Sequence, residues 1–147
     1  MLKKLFLKIF FDTEVKEELL FLHNIEIFKY LTISQLRKLR NLIYKKTYIK
    51  NEVIYEKGQD ASLICILKKG KVELCNADNK TPLLPNTIFG KKYLLRKNEC
   101  YAQTAKVAEK SEVYMIHKED IETLMNSDNS VGFKIAKVWL EKFYGKE

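Results

Sequence analysis

A chain of 147 residues that is 46% hydrophobic and 31% charged carries enough apolar side chain for one core of ordinary domain size, so one domain is the expected count. Lys and Arg total 27 against 19 Asp and Glu, a net charge of +8, but only Arg37, Arg40 and Arg96 are arginines. Lysines are hydrated point charges suited to a solvated face, so the excess reads first as solubility and second as attraction to an acidic partner or anionic surface; no compact basic block marks a nucleic-acid tail, and no apolar run reaches the ~20 residues a membrane-spanning helix needs.

At the start, Leu2, Leu5, Phe6, Ile9 and Phe10 recur at helical spacing while Lys3, Lys4 and Lys8 fill other sectors. This predicts an amphipathic helical extension over residues 1–20, distinct from a domain over 21–147. Its apolar stripe packs on the domain or on a second copy, or its lysines and phenylalanines lay it on an anionic membrane surface. Lysines interrupt the apolar run and no small-residue cleavage site follows, so the segment is expected to be retained rather than cleaved as a secretory signal.

Asp12 and Thr13 favour a helix start, and Leu19, Leu20, Leu22, Ile25, Ile27 and Phe28 continue the helical period with a break near His23 and Asn24. Thr32 with Gln35 three residues on predicts a capping box opening a helix through Leu36, Leu39, Leu42 and Ile43. From Thr47 to Leu84 the sequence turns β-branched and aromatic, with Asn51, Gly58, Gly70, Asn76 and Asn79 as punctuation, which predicts short strands and a hairpin over residues 76–80. A strand returns at Glu112–Ile116, and two helical periods follow to the end. The carboxyl-terminal one is apolar over much of its circumference, with Val131, Ile135, Val138 and Trp139 on one side and Phe133, Ala136, Leu140, Phe143 and Tyr144 on another. Helices, strands, then helices predict an α+β fold: an antiparallel β-roll or jelly-roll barrel of about eight short strands, because that many must close or double over to hide their edges.

Cys65, Cys75 and Cys100 are odd in number, with no CxxC and no histidine at ligand spacing; reduced thiols in the cytosol are expected, and no metal site. His23 and His117 are read as packing or surface residues. Neither a nucleophile–base pair nor a Gly-rich nucleotide loop is present, so no enzyme is expected.

Phe21-Leu22, Ile25, Phe28 and Leu31 ahead of the capped helix, Val53-Ile54-Tyr55 with Gly58, Ile64–Leu67 leading to Gly70-Lys71-Val72, then Phe89-Gly90 and Thr104 with the strand ending at Ile116, resemble in order and spacing the cyclic nucleotide-binding domain family. The resemblance runs from Phe21 to Phe143. Asn51 and Asn86 stand where the family usually has glycine, and asparagine is the residue that best replaces glycine in a left-handed backbone.

In members that bind cyclic nucleotides, Phe-Gly-Glu opens a cassette, a short helix follows, and an Arg shortly before an Ala-Thr pair closes it. The helix amino end receives the cyclic phosphate, the Arg neutralises it, and the Glu accepts the ribose 2′-hydroxyl proton. Here Phe89 and Gly90 match, Lys91 replaces the Glu, and Tyr101, or Cys100 with a one-residue shift, stands where the Arg belongs; Ala102, Gln103 and Thr104 complete the closing strand. A lysine cannot accept the ribose proton, and neither substitute for the Arg makes the charged fork to phosphate. The resemblance implies a ligand site of Phe89, Gly90, Lys91, Lys92, Arg96, Tyr101, Ala102, Gln103 and Thr104, with Trp139, Phe143 or Tyr144 as a lid.

Three functions are set against one another. One is a stand-alone regulatory or adaptor module with cAMP and cGMP binding weak or lost, no cofactor, and a protein partner or second copy. Another is a sensor whose pocket is rewired by Lys91, Lys92, Arg96, Lys97 and Lys106 for cAMP, cGMP or another anionic nucleotide. The last is a basic module on an anionic membrane or nucleic acid. A cytoplasmic protein without a DNA-binding domain is expected.

Overall fold

The computed structural model describes residues 13–144. The extension expected over residues 1–20 falls mostly on residues 1–12, outside that range. The described residues divide into a helical unit, 13–41 and 124–144, and a strand unit, 42–123.

In the helical unit, α1 (Thr13–His23) crosses the boundary expected at residue 20 and ends where the sequence breaks, at His23. A 3-10 turn, Glu26–Phe28, follows, and then α2 (Ile33–Arg40). The predicted capping box is present: the Thr32 hydroxyl accepts the Gln35 N–H at 3.2 Å, and the Gln35 side-chain oxygen accepts the Thr32 N–H at 3.0 Å. That same Gln35 donates to the Ser130 hydroxyl at 3.0 Å and accepts from Lys134 at 2.8 Å, so one side chain both caps α2 and ties it to the last helix. α2 stops at Arg40, short of Leu42 and Ile43, because Tyr44 already enters the sheet. The Tyr30 hydroxyl donates to the Glu141 carboxylate at 2.7 Å. Leu22, Ile25, Phe28, Leu36, Leu39 and Ile135 are fully buried.

The strand unit holds β1 (Tyr44–Tyr48), β2 (Val53–Tyr55), β3 (Leu63–Cys75), β4 (Lys80–Leu83), β5 (Ile88–Phe89) and β6 (Thr104–His117), all antiparallel in one sheet. Its order is β1-β6-β3-β4, with β2 on β6 and β5 on β3. The fold class is the α+β one expected, but there are six strands rather than about eight short ones, because β3 and β6 run 13 and 14 residues. β3 runs on through Gly70, where the sequence suggests a break, and β6 begins at Thr104, ahead of the strand expected at Glu112–Ile116. The register between them slips around Lys69 and Lys71, at Gly70. Gly70 has φ +98°, and a Cβ there would lie 2.4 Å from the Lys110 carbonyl oxygen and 2.3 Å from the Ser111 hydroxyl. Buried Ser111 repairs the interrupted ladder by accepting the Lys71 N–H at 3.1 Å and donating to the Glu109 carbonyl at 2.7 Å. A bulge of this kind bends a long strand pair so that it can curl over its own core.

Asn51 and Asn86 have φ +75° and +73°, as the family resemblance implies, and Asn76 closes the predicted hairpin on Asn79 at 2.8 Å. The concave core gathers Tyr48, Tyr55, Cys65, Leu67, Val113 and Met115 with Phe89, Tyr93 and Tyr101. After β6 come α3 (Lys118–Ser127), with Glu119 and Asp120 in its first turn, and α4 (Asn129–Tyr144). Among the described residues no helix is long and apolar enough to cross a membrane.

Candidate functional site

The cassette begins where β5 pairs with β3, Phe89 opposite Cys65 and Ile88 opposite Ile66. Gly90, at φ +83°, passes so close to β3 that a Cβ would meet the Leu63 carbonyl oxygen at 2.7 Å. The chain then makes one 3-10 turn, Lys91–Tyr93, closed by Tyr93 N–H to the Gly90 carbonyl at 3.3 Å and Leu94 N–H to the Lys91 carbonyl at 3.0 Å. The short helix implied by the family is therefore a single turn here. Peptide dipoles add along a helix, so three residues offer little of the anion-attracting end that a longer one provides.

Beyond the turn the backbone runs through Leu95 and Asn98, both left-handed at φ +63° and +57°, and this loop is held to α3. The Leu95 N–H donates to the Glu122 carboxylate at 2.7 Å, and the Lys118 ammonium donates to the Arg96 carbonyl. Cys100 is exposed and forms an isolated bridge with Asp60. Tyr101 comes next with both backbone groups paired, its N–H to the Gln59 carbonyl and its carbonyl from the Gly58 N–H, each at 2.9 Å.

The Tyr101 side chain points into the core. It is 3% exposed, and its ring stacks on Tyr55 with centroids 3.7 Å apart and planes 10° from parallel. Its hydroxyl donates to the Leu63 carbonyl and accepts the Leu63 N–H, both at 2.8 Å. Tyr93 meets it edge-on, centroids 5.4 Å apart at 84°, and the Tyr93 hydroxyl accepts the Ala102 N–H at 2.7 Å. Thr104 likewise has a partner in the fold, its hydroxyl accepting the Lys57 N–H at 3.0 Å. Position 101 thus supplies a neutral hydroxyl already committed to β3, and the N–H beside it is committed to Tyr93.

Of the residues assigned to the site from sequence, Phe89, Gly90, Lys91, Lys92 and Gln103 line one concavity of about 210 Å³, together with Tyr55, Leu74, Leu83, Ile88 and Tyr93. The remaining four stand elsewhere. Tyr101 lies in the core, the Ala102 N–H is taken by Tyr93, the Thr104 hydroxyl by Lys57, and Arg96 belongs to the loop tied to α3. Trp139 is half-buried on α4 of the helical unit, and Phe143 and Tyr144 end that helix. Tyr93 and Tyr55 are the residues that sequence reasoning missed. Nothing in the spacing tells that the Tyr93 hydroxyl reaches an amide nine residues on. A larger concavity of about 600 Å³ is lined by residues 60–62, 97–99, 117–120 and 122, where the carboxylates of Asp60, Glu99, Glu119, Asp120 and Glu122 outnumber the ammoniums of Lys97 and Lys118. Among the described residues no group of His, Cys, Asp or Glu could hold a metal ion.

Burial is the main reason that the Tyr55 and Tyr101 hydroxyls are held far above the ordinary tyrosine value and that Tyr48, which donates to the Met115 sulfur at 3.6 Å, is pushed up to about 12. A raised phenol pKa means that the fold favours the neutral form. The associated stability is intact below 10.0, the unfolded value, and drains away as pH rises from there through the folded values. Stability followed by circular dichroism in denaturant should be insensitive to these tyrosines up to about pH 10 and should then fall steeply. Absorbance at high pH should show only the exposed subset of the 8 tyrosines ionising before the cooperative transition.

The family described as Cyclic nucleotide-binding domain matches residues 45–128, more than half of the chain. No curated protein matches in sequence. Solved structures similar in fold include the N-terminal domain of a transcriptional regulator from Streptomyces coelicolor A3(2), with TM-score 0.76, 16% identity, and 86% of this chain and 92% of that one covered. The sensor domain of a transcriptional regulator from Pseudomonas aeruginosa is similar at TM-score 0.74 and 15% identity, covering 87% and 91%. The regulatory subunit of a cAMP-independent protein kinase A from Trypanosoma brucei, as a triple mutant bound to cAMP in its A site, is similar at TM-score 0.70 and 20% identity, covering 79% of this chain and 44% of that one. The match over the strand unit and the sheet bearing Phe89-Gly90 and Thr104 make this chain a member of the cyclic nucleotide-binding domain family.

Proposed function

We propose that this protein is a non-enzymatic regulatory or adaptor module of the cyclic nucleotide-binding type in which cAMP and cGMP binding is weak or lost, a buried tyrosine standing where the charged fork to phosphate belongs. The observation that carries this reading is the Tyr93 hydroxyl on the Ala102 N–H at 2.7 Å, beside a Tyr101 turned onto Leu63. Replacing a charged fork by a neutral, committed hydroxyl removes on the order of 2–5 kcal/mol of phosphate binding, about 30-fold or more in affinity. Lys91 adds the loss of the ribose acceptor.

The Trypanosoma brucei subunit, similar in fold, lends support: its protein kinase A is described as cAMP-independent, and the form bound to cAMP in the A site carries three substitutions, one of them to arginine. Signal output in this reading passes through a protein partner or a second copy. Phe133 and Leu140, seven residues apart on α4 and 66% and 53% exposed, are the apolar side chains suited to that contact. With no base to cover, the lid role for Trp139, Phe143 and Tyr144 falls away.

Calorimetric titration tests the reading. Neither cAMP nor cGMP should give a saturable heat below about 1 mM, where a bound nucleotide at 100-fold excess over Kd would stabilise the fold by about 2.7 kcal/mol. A micromolar Kd for either would sink it.

A further inference from the structure

The two ends of the sheet are guarded differently. At one end β4 carries Pro82, which has no N–H to offer an incoming strand. At the other end lies β1, with β6 as its one ladder neighbour among the described residues. A strand paired on one side turns the N–H and C=O groups of alternate residues away from that partner. Tyr44, Lys45, Lys46 and Thr47 are all exposed, and among the described residues β1 makes no backbone hydrogen bond outside its ladder.

Charge and aromatic surface lie along this open edge. Tyr48 is buried in the concave core, so strand alternation puts Tyr44, Lys46 and Tyr48 on one face. The Lys46 ammonium lies 5.0 Å from the centre of the Tyr48 ring, and Tyr44, 39% exposed, packs against His117 with ring centroids 5.4 Å apart. Just past the strand, Ile49 and Lys50 are exposed. Two copies of β1 paired antiparallel about its centre would set Lys46 against Lys46, and like charges directly across a ladder repel; each copy also carries a net +8. The edge therefore disfavours its own copy and favours an acidic strand. We propose that the open edge of β1 receives an extended acidic segment of a partner protein, added to the sheet as a further strand with a carboxylate across from Lys46, an apolar side chain across from Tyr44 and a second carboxylate toward Lys50.

The test uses the full chain labelled with ¹⁵N and the capped peptide Glu-Thr-Val-Thr-Glu-Thr-Val, with Lys-Thr-Val-Thr-Lys-Thr-Val as the charge control. The acidic peptide should bind saturably and about tenfold more tightly than the basic one, and the amides of alternate residues in Tyr44–Tyr48 should exchange with solvent more slowly when it is bound. Lys46→Glu should weaken binding about tenfold. Its side chain is exposed, so the variant should keep the unfolding midpoint of the parent; if it does not, Lys46→Gln takes its place, with an expected loss of about threefold. Absence of binding overturns the proposal, as do equal binding of the two peptides, unchanged exchange in β1, or unchanged affinity in the Lys46 variant. Protection of the same amides that grows with protein concentration in the absence of peptide would give the edge to a second copy and overturn it as well. The proposal supplies a partner surface for the adaptor reading and rests on it, yet the two fail separately: absence of peptide binding leaves the nucleotide titration untouched, whereas micromolar cAMP binding strikes at that reading itself.

Discussion

Tyr101→Ala should lower the unfolding free energy by about 3–5 kcal/mol, which for a domain of this size is a large share of the whole. Two losses combine. The ring stacked 3.7 Å from Tyr55 and edge-on to Tyr93 is removed from a site that is 3% exposed, leaving a cavity. The hydroxyl that satisfies both the N–H and the carbonyl of Leu63 goes with it. Tyr101→Phe separates the two, keeping the ring while leaving the Leu63 groups without their partner, and should cost about 1–3 kcal/mol. Denaturant unfolding of the two variants gives both numbers. The same geometry predicts that Tyr101→Arg alone does not repair a nucleotide site: a guanidinium there would face Tyr55 and Leu63, and the expected result is a destabilised protein with no gain in cAMP binding. If Tyr101→Ala were as stable as the parent, the tyrosines would not be holding the cassette.

Gly70→Ala should cost about 2–4 kcal/mol. The added Cβ would sit 2.4 Å from the Lys110 carbonyl oxygen and 2.7 Å from the Ser111 Cα, and both are backbone atoms of β6, so relief requires opening the β3–β6 ladder at its bulge. Gly58→Ala is the control. It shares the positive φ, +91°, but has nothing within 4 Å of the new Cβ, so it carries only the backbone strain of about 1–2 kcal/mol. Thermal unfolding of the pair should rank Gly70→Ala clearly below Gly58→Ala; equal losses would mean that the close approach at the bulge contributes nothing.

The fold was legible in the sequence because its signals are local. The Thr32–Gln35 capping box, the Asn76–Asn79 hairpin and the left-handed Asn51 and Asn86 each depend on residues within a few positions, and each is found as expected. The strand count was less legible, since Gly70 reads as the end of one strand and the start of another, whereas buried Ser111, forty-one residues on, keeps the strand continuous by bonding to Lys71. Half of the site was legible in the same way. The mismatches at Lys91 and Tyr101 stand out once Phe89, Gly90 and Thr104 are aligned, but a mismatch tells only what is missing. That Tyr101 would turn inward onto Leu63, and that Tyr93 would take the Ala102 N–H, depend on β3 lying against the cassette. Such pairing is a property of the assembled sheet. The left-handed Leu95 gave no sign either, since its strain is stabilised from α3 by Glu122.

The occupied amide at Ala102 is where the account meets a single measurement. With the protein labelled with ¹⁵N, the Ala102 amide resonance should stay in place as cAMP is added to millimolar concentration, and it should exchange slowly with solvent because Tyr93 holds it at 2.7 Å. A saturable shift of that resonance on adding cAMP would show the N–H leaving Tyr93 for the nucleotide and would contradict the account.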